Sequence, residues 1–183
     1  MHQELDATLV SAWARQTPEA LSLLVQSALP ASAHESYGAP GAIWTQIDLP
    51  ADPGAARIDL SVNFFNQTRT RIPEAIFVRF NVSAAYRASP GAAAPAWFAS
   101  KLGERVWPFD VQAGGNRHLH GNDGSIGATI ADPAGAGPNA TLTVWSRHAG
   151  AACFGHPTGF PAPLLTQPDP AEGAAFMLAN TVW

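Results

Sequence analysis

Sixteen glycines and sixteen prolines cut this 183-residue chain into short pieces, and that punctuation constrains the fold more than any other feature. Frequent breakers suit short strands joined by turns and do not suit a helical bundle. From residue 42 onward the apolar residues between the breaks recur at a period of two. In Arg57 to Phe65, Ile58, Leu60, Val62 and Phe64 alternate with Asp59, Ser61 and Asn63. Such alternation marks a half-buried antiparallel strand.

The same reading places strands at Ala42 to Asp48, Glu74 to Val82 and Trp97 to Lys101. It places further strands at Ser125 to Ala131, Ala140 to Arg147, Ala151 to Phe154 and Ala174 to Asn180. Turns carry the expected residues: Asp52-Pro53-Gly54, the Gly/Pro-rich run Asp132 to Asn139, and the proline-rich loop Gly155 to Gly173. Residues 103 to 124 show little periodicity. Several short strands with turn signals between them predict a mainly β fold, an antiparallel β-sandwich rather than a set of βαβ units.

The first thirty residues read differently. Leu5, Leu9 and Trp13 recur at helical spacing, and Thr17-Pro18-Glu19 has the form of an N-cap followed by proline in the first turn. Leu21, Leu24, Val25 and Ala28 continue the stripe until Pro30. One or two short N-terminal helices are predicted here, followed by a loop from Ala31 to Gly41. The expected division is therefore a helical and loop segment over 1–37 and a β-sandwich over 38–183. Phe176-Met177-Leu178 reads as a buried strand just before the terminus. This predicts a sandwich truncated on its C-terminal side.

A formal charge of −4, with no basic run longer than two residues, excludes nucleic-acid binding through a cationic face. No apolar stretch approaches the roughly 20 residues that a membrane-spanning helix needs. Met1 to Asp6 has no cationic leader before an apolar core, so no signal peptide is visible and a cytoplasmic location is expected. Cys153 is the sole cysteine, which rules out an internal disulfide. It reads as a small buried hydrophobe.

Charged residues make up only 13% of the chain, so the segment Gly114-Gly115-Asn116-Arg117-His118-Leu119-His120-Gly121 stands out. On a strand, His118 and His120 would project to one face and could present two imidazoles to a metal. A third ligand would have to come from Asp110, Asp123 or His156. Two other readings stand beside the metal: a histidine satisfied by hydrogen bonds inside the fold, or a sugar contact built from Asn116, Arg117, His118 and His120. Those side chains donate and accept hydrogen bonds as hydroxyl groups require. Arg71 and Glu74 form the second candidate spot. They read either as an ion pair that fixes a loop or as a hydroxyl contact in a cleft. Glycoside hydrolysis usually needs two carboxylates flanking the bond. No spacing ties together any two of Glu74, Glu104, Asp110 and Asp123, so no catalytic residue is assigned. Of the six tryptophans, Trp107 is the one expected to be exposed.

Three blocks carry a resemblance to a known family. They are Asn63 to Ala75; Lys101-Leu102-Gly103 through Asp110-Val111 to His120; and Phe160-Pro161-Ala162-Pro163 through Glu172-Gly173 to Trp183. Together they resemble the C-terminal part of the family known as domain of unknown function 5054. That family is itself similar to glycoside hydrolase family 38, the α-mannosidase type. The resemblance covers residues 38–183 and implies a supersandwich of the galactose-mutarotase-like kind that closes one side of a sugar cleft. It implies a carbohydrate ligand, and a separate N-terminal α/β domain, on another or a longer chain, that holds the metal and the catalytic carboxylate. The function expected from it is a carbohydrate-active accessory module without a cofactor of its own. Two alternatives stand: a freestanding mutarotase-like or metal-dependent β-barrel enzyme, and a structural domain without a ligand.

Overall fold

A computed structural model describes residues 4–52, 54–68, 70, 74–81, 84–88, 92–108, 119–121, 125–130, 140–157 and 169–180. The chain is mainly β, and among the described residues the strand pairs are antiparallel. It divides into two compact units, Met1–Ile72 and Pro73–Trp183. This division falls at residue 72, whereas the sequence reading divided the chain at residue 37. The reason is hydrogen bonding: strands on either side of position 38 belong to one sheet.

The first unit holds β1 (Thr8–Gln16), β2 (Ala20–Ala28), α1 (Ala31–Tyr37), β3 (Ala42–Pro50) and β4 (Asp59–Phe65). The strands form one sheet in the order β1-β2-β3-β4. The helices predicted over the first thirty residues are thus corrected to a β-hairpin. The signals that suggested them have a second meaning. Threonine followed by proline starts a helix or a turn equally well, because proline presets the same φ in both. Here Thr17 Oγ1 accepts the N–H groups of Glu19 at 3.3 Å and Ala20 at 3.1 Å, and the chain reverses. β2 then gains a partner on each side, which outweighs its modest intrinsic strand preference. The segment expected as loop holds the two-turn helix α1 instead. It ends at Gly38, whose φ of 71° lets its N–H reach the carbonyl of His34 at 2.9 Å.

The second unit holds β5 (Ala75–Phe80), α2 (Ala84–Arg87), β6 (Ala96–Lys101), β7 (Glu104–Val106), β8 (Leu119–Gly121), β9 (Ser125–Ile130), β10 (Ala140–Trp145), β11 (Ala151–Phe154) and β12 (Ala174–Asn180). They form two sheets, β10-β9-β6-β7 and β5-β12-β11-β8. Trp97, Ala99, Ile126 and Ala128 from the first sheet meet Ala152, Phe154, Ala174 and Phe176 from the second in one buried cluster. Trp97 and Phe154 join the layers edge to face, with centroids 6.2 Å apart. This is the sandwich that the strand periodicity predicts, and Cys153 is buried in it as expected.

Packing in the sandwich uses small residues where rings need room. Gly127 lies opposite Phe98 and Thr143 in its sheet. A Cβ there would collide with the Phe98 ring and the Leu142 carbonyl. The outer side of that sheet carries Phe98 with the Arg105 guanidinium 4.5 Å from its ring centroid.

Candidate functional site

The first sheet separates its two faces by chemistry. Residues opposite one another in neighbouring strands share a face. Trp13, Leu24, Gln46 and Ser61 make one row across the four strands. Ser11, Gln26, Trp44 and Asn63 make the next row on that face, and Arg15, Ser22, Asp48 and Asp59 the one on the other side. The opposite face carries Ala12, Val25, Thr45 and Val62, then Ala14, Leu23, Ile47 and Leu60. One face is thus almost wholly apolar. The other is polar and carries two tryptophans.

Those two tryptophans reach toward each other across β2. Their ring centroids lie 5.5 Å apart with planes inclined by 15°, so they stack. Each indole spends one side of its ring on the other and keeps an outer side. Trp13 sits on the edge strand and is 49% exposed. Around the pair stand the amides of Gln26, Gln46 and Asn63 and the hydroxyls of Ser11, Ser22 and Ser61. Gln46 Nε2 donates to Asp48 Oδ2 at 2.8 Å, which orients its amide. An indole face next to amides and hydroxyls suits a ligand with both apolar C–H surface and in-plane hydroxyls.

Sequence reasoning missed this pair because a helical reading of residues 5–28 took Trp13 out of the sheet that carries Trp44. A signal was present in β3. Trp44, Gln46 and Asp48 alternate with Ile43, Thr45 and Ile47, so the strand already shows Trp44 on its polar side.

Among the sequence-predicted site residues, Arg71, Asn116, Arg117 and His118 lie outside the described residues. His120 lies in β8, an edge strand, where its backbone pairs opposite Ala152. Glu74 immediately precedes β5 and is half-buried. Among the alternative acid and metal candidates, Glu104 and His156 are exposed, while Asp110 and Asp123 lie outside the described residues. Among the described residues no three His, Cys, Asp or Glu side chains gather as a metal site requires. Nor is any helix among them long and apolar enough to cross a membrane. Trp107 is exposed at 45%, but it is not the one exposed tryptophan that was expected: Trp13 at 49% and Trp145 at 76% are more exposed.

The sandwich contains a second feature, a cavity of about 230 Å³ lined by Phe80, Asn81, Tyr86, Trp97, Ala128, Ile130 and Leu142. Its rings are held from behind. Phe80 packs edge-on against Phe176, with centroids 6.3 Å apart, and Trp97 packs against Phe154. Tyr86 Oη donates to the Ala93 carbonyl at 3.2 Å and ties α2 to the chain leading into β6. Gly173, at φ 94°, lets the start of β12 pass against the end of β5. A side chain there would strike the Phe80 carbonyl and come within 3.2 Å of the Asn81 Cγ, so the glycine sets where Asn81 stands.

Comparison with protein-family models, with curated proteins and with solved structures finds no match. The fold by itself defines the class, a mainly β protein of antiparallel sheets with a two-layer sandwich.

Proposed function

We propose that this chain is a carbohydrate-binding accessory module of a glycosidase-like protein, with a β-sandwich unit and a four-stranded sheet unit that offers the sugar surface, and without a catalytic centre of its own. The observation that carries the reading is the stacked Trp13–Trp44 pair on the polar face of the first sheet, bordered by Gln26, Gln46 and Asn63. Indoles cover the C–H faces of pyranose rings, and side-chain amides satisfy hydroxyl groups in both donor and acceptor roles. The sequence blocks that resemble domain of unknown function 5054 point the same way. In this reading the sandwich is of the galactose-mutarotase-like kind, works in the cytoplasm and serves an α/β catalytic domain carried elsewhere. Asn116, Arg117, His118 and His120, with Arg71 and Glu74, are proposed as a further set of hydroxyl contacts.

Affinity electrophoresis and calorimetry against a panel of polysaccharides test the proposal. The wild-type chain is expected to be retarded by at least one glycan, and Trp13→Ala or Trp44→Ala to abolish the retardation. Retention by both variants equal to wild type removes the tryptophan face as the site. The double variant His118→Ala plus His120→Ala reads the second contact set separately. One observation favours a structural domain without a ligand: cross-strand aromatic pairs stabilise a sheet whether or not anything binds them. In that case no glycan is retained, and Trp13→Ala only lowers stability.

A further inference from the structure

We propose that the sandwich cavity is a binding site for a small aromatic molecule bearing one polar group. This site is independent of the glycan reading and lies in the other unit. Its lining decides the ligand class. Phe80, Tyr86 and Trp97 contribute three rings, Ala128, Ile130 and Leu142 contribute aliphatic surface, and Asn81 contributes the amide. The Tyr86 hydroxyl already donates to the Ala93 carbonyl. Among the described lining residues a sugar ring would find few partners for its hydroxyls, which disfavours it. An aromatic ring would instead meet other rings and aliphatic surface.

Size agrees with this class. An apolar cavity of about 150 Å³ accepts benzene. At about 230 Å³ this one has room for a single ring with a few further heavy atoms. It opens to the surface beside the exposed Asn81 and Leu142, so a ligand has a way in. The walls are preformed, because Phe80 and Trp97 are each braced edge-on by a core phenylalanine. Binding to a braced pocket loses little side-chain freedom. Asn81 is exposed and held beside Gly173, where it can hydrogen-bond the polar group of a ligand whose ring lies inward.

Titration of the full chain with 4-fluorophenol, followed by fluorine NMR, tests the site. The expected result is saturable line broadening and shift, with fluorobenzene binding at least several-fold more weakly. Leu142 is 43% exposed, so Leu142→Trp can fill the cavity without entering the core, and it is expected to weaken binding at least tenfold. If that variant does not give a native circular dichroism spectrum, Ile130→Phe replaces it. Asn81→Leu is expected to erase the preference for the phenol over fluorobenzene. Trp13→Ala, which alters the other aromatic surface, is expected to leave the titration unchanged. Absence of saturable binding overturns the proposal. So do unchanged affinity in a folded cavity-filling variant, loss of binding in Trp13→Ala, and displacement of the probe by methyl glucoside.

Discussion

The first sheet and the sandwich use strands of the same antiparallel kind and bury them very differently. No residue of β1, β2, β3 or β4 is buried, and Leu9 at 67% and Leu60 at 42% are among the large apolar residues exposed there. In the sandwich, Ala152, Cys153 and Phe154 of β11 are all fully buried, on both faces of the strand. Their sequences differ accordingly. β4 alternates Asp-Leu-Ser-Val-Asn-Phe, whereas β11 reads Ala-Ala-Cys-Phe without a polar residue. Alternation marks a strand with one wet face, and an unbroken apolar run marks one covered on both sides. A layer becomes a core only when a second layer supplies the other half of the contacts.

The comparison can be broken most decisively at Phe154. Phe154→Ala is expected to cost about 3–5 kcal/mol, because it removes a fully buried ring that bridges the two layers. Urea denaturation measures the loss. Hydrogen exchange locates it: protection should fall in β6, β9, β11 and β12 and stay unchanged in β1 to β4. Equal loss in both units would show that burial does not separate them in the way described.

Gly127→Val is expected to have a smaller effect, about 1–3 kcal/mol, by driving side-chain atoms into Phe98 and the strand beside it. A thermal melt that matches wild type would mean that Phe98 moves aside freely on the outer side of the sheet. In the first sheet, Trp13→Ala should cost only about 0.5–1.5 kcal/mol in stability, the scale of one aromatic pair. It should nevertheless eliminate glycan retention. That split between a small stability loss and a large binding loss would sharpen the contrast between a sheet that offers a surface and a sandwich that builds a core. The smallest effect is expected at the start of β4. Arg57 and Asp59 pair at 2.7 Å with both side chains more than half exposed, so Asp59→Asn should change stability by less than about 1 kcal/mol. A larger loss by chemical denaturation would mean that this end of the sheet depends on charge.

Much of the fold was legible in the residues. The predicted strands Ala151 to Phe154 and Ala174 to Asn180 coincide with β11 and β12. Those at 57–65, 74–82, 97–101, 125–131 and 140–147 fall on β4, β5, β6, β9 and β10 within two residues at each end. Periodicity is a local property, and these segments carry it strongly. The hairpin of β1 and β2 was not legible. Leu5, Leu9 and Trp13 keep helical spacing, but Leu5 precedes β1 and a bulge between Leu9 and Ser11 turns Leu9 and Trp13 to opposite faces of the strand. Only pairing with β3 distinguishes strand from helix. β7 and β8 lie in the stretch without clear period, and each owes its form to one neighbour in a sheet. The exposure of Trp107 was legible from its polar context. The stacking of Trp13 on Trp44 was not, since it depends on β2 lying between the strands that carry them.

The amino-acid order alone determined that this chain would be mainly β, that its strands would be antiparallel, and that Cys153 would be buried. The first two follow from short-range pattern, period two with breakers between segments, and the third from the tendency of a free cysteine to pack as a small buried hydrophobe. Tertiary structure alone decided which strands are neighbours, that the two sheets of the second unit share a core, and which aromatic rings meet. Those outcomes depend on contacts between residues far apart in the chain, such as Trp97 with Phe154, and no local spacing encodes a partner at that distance.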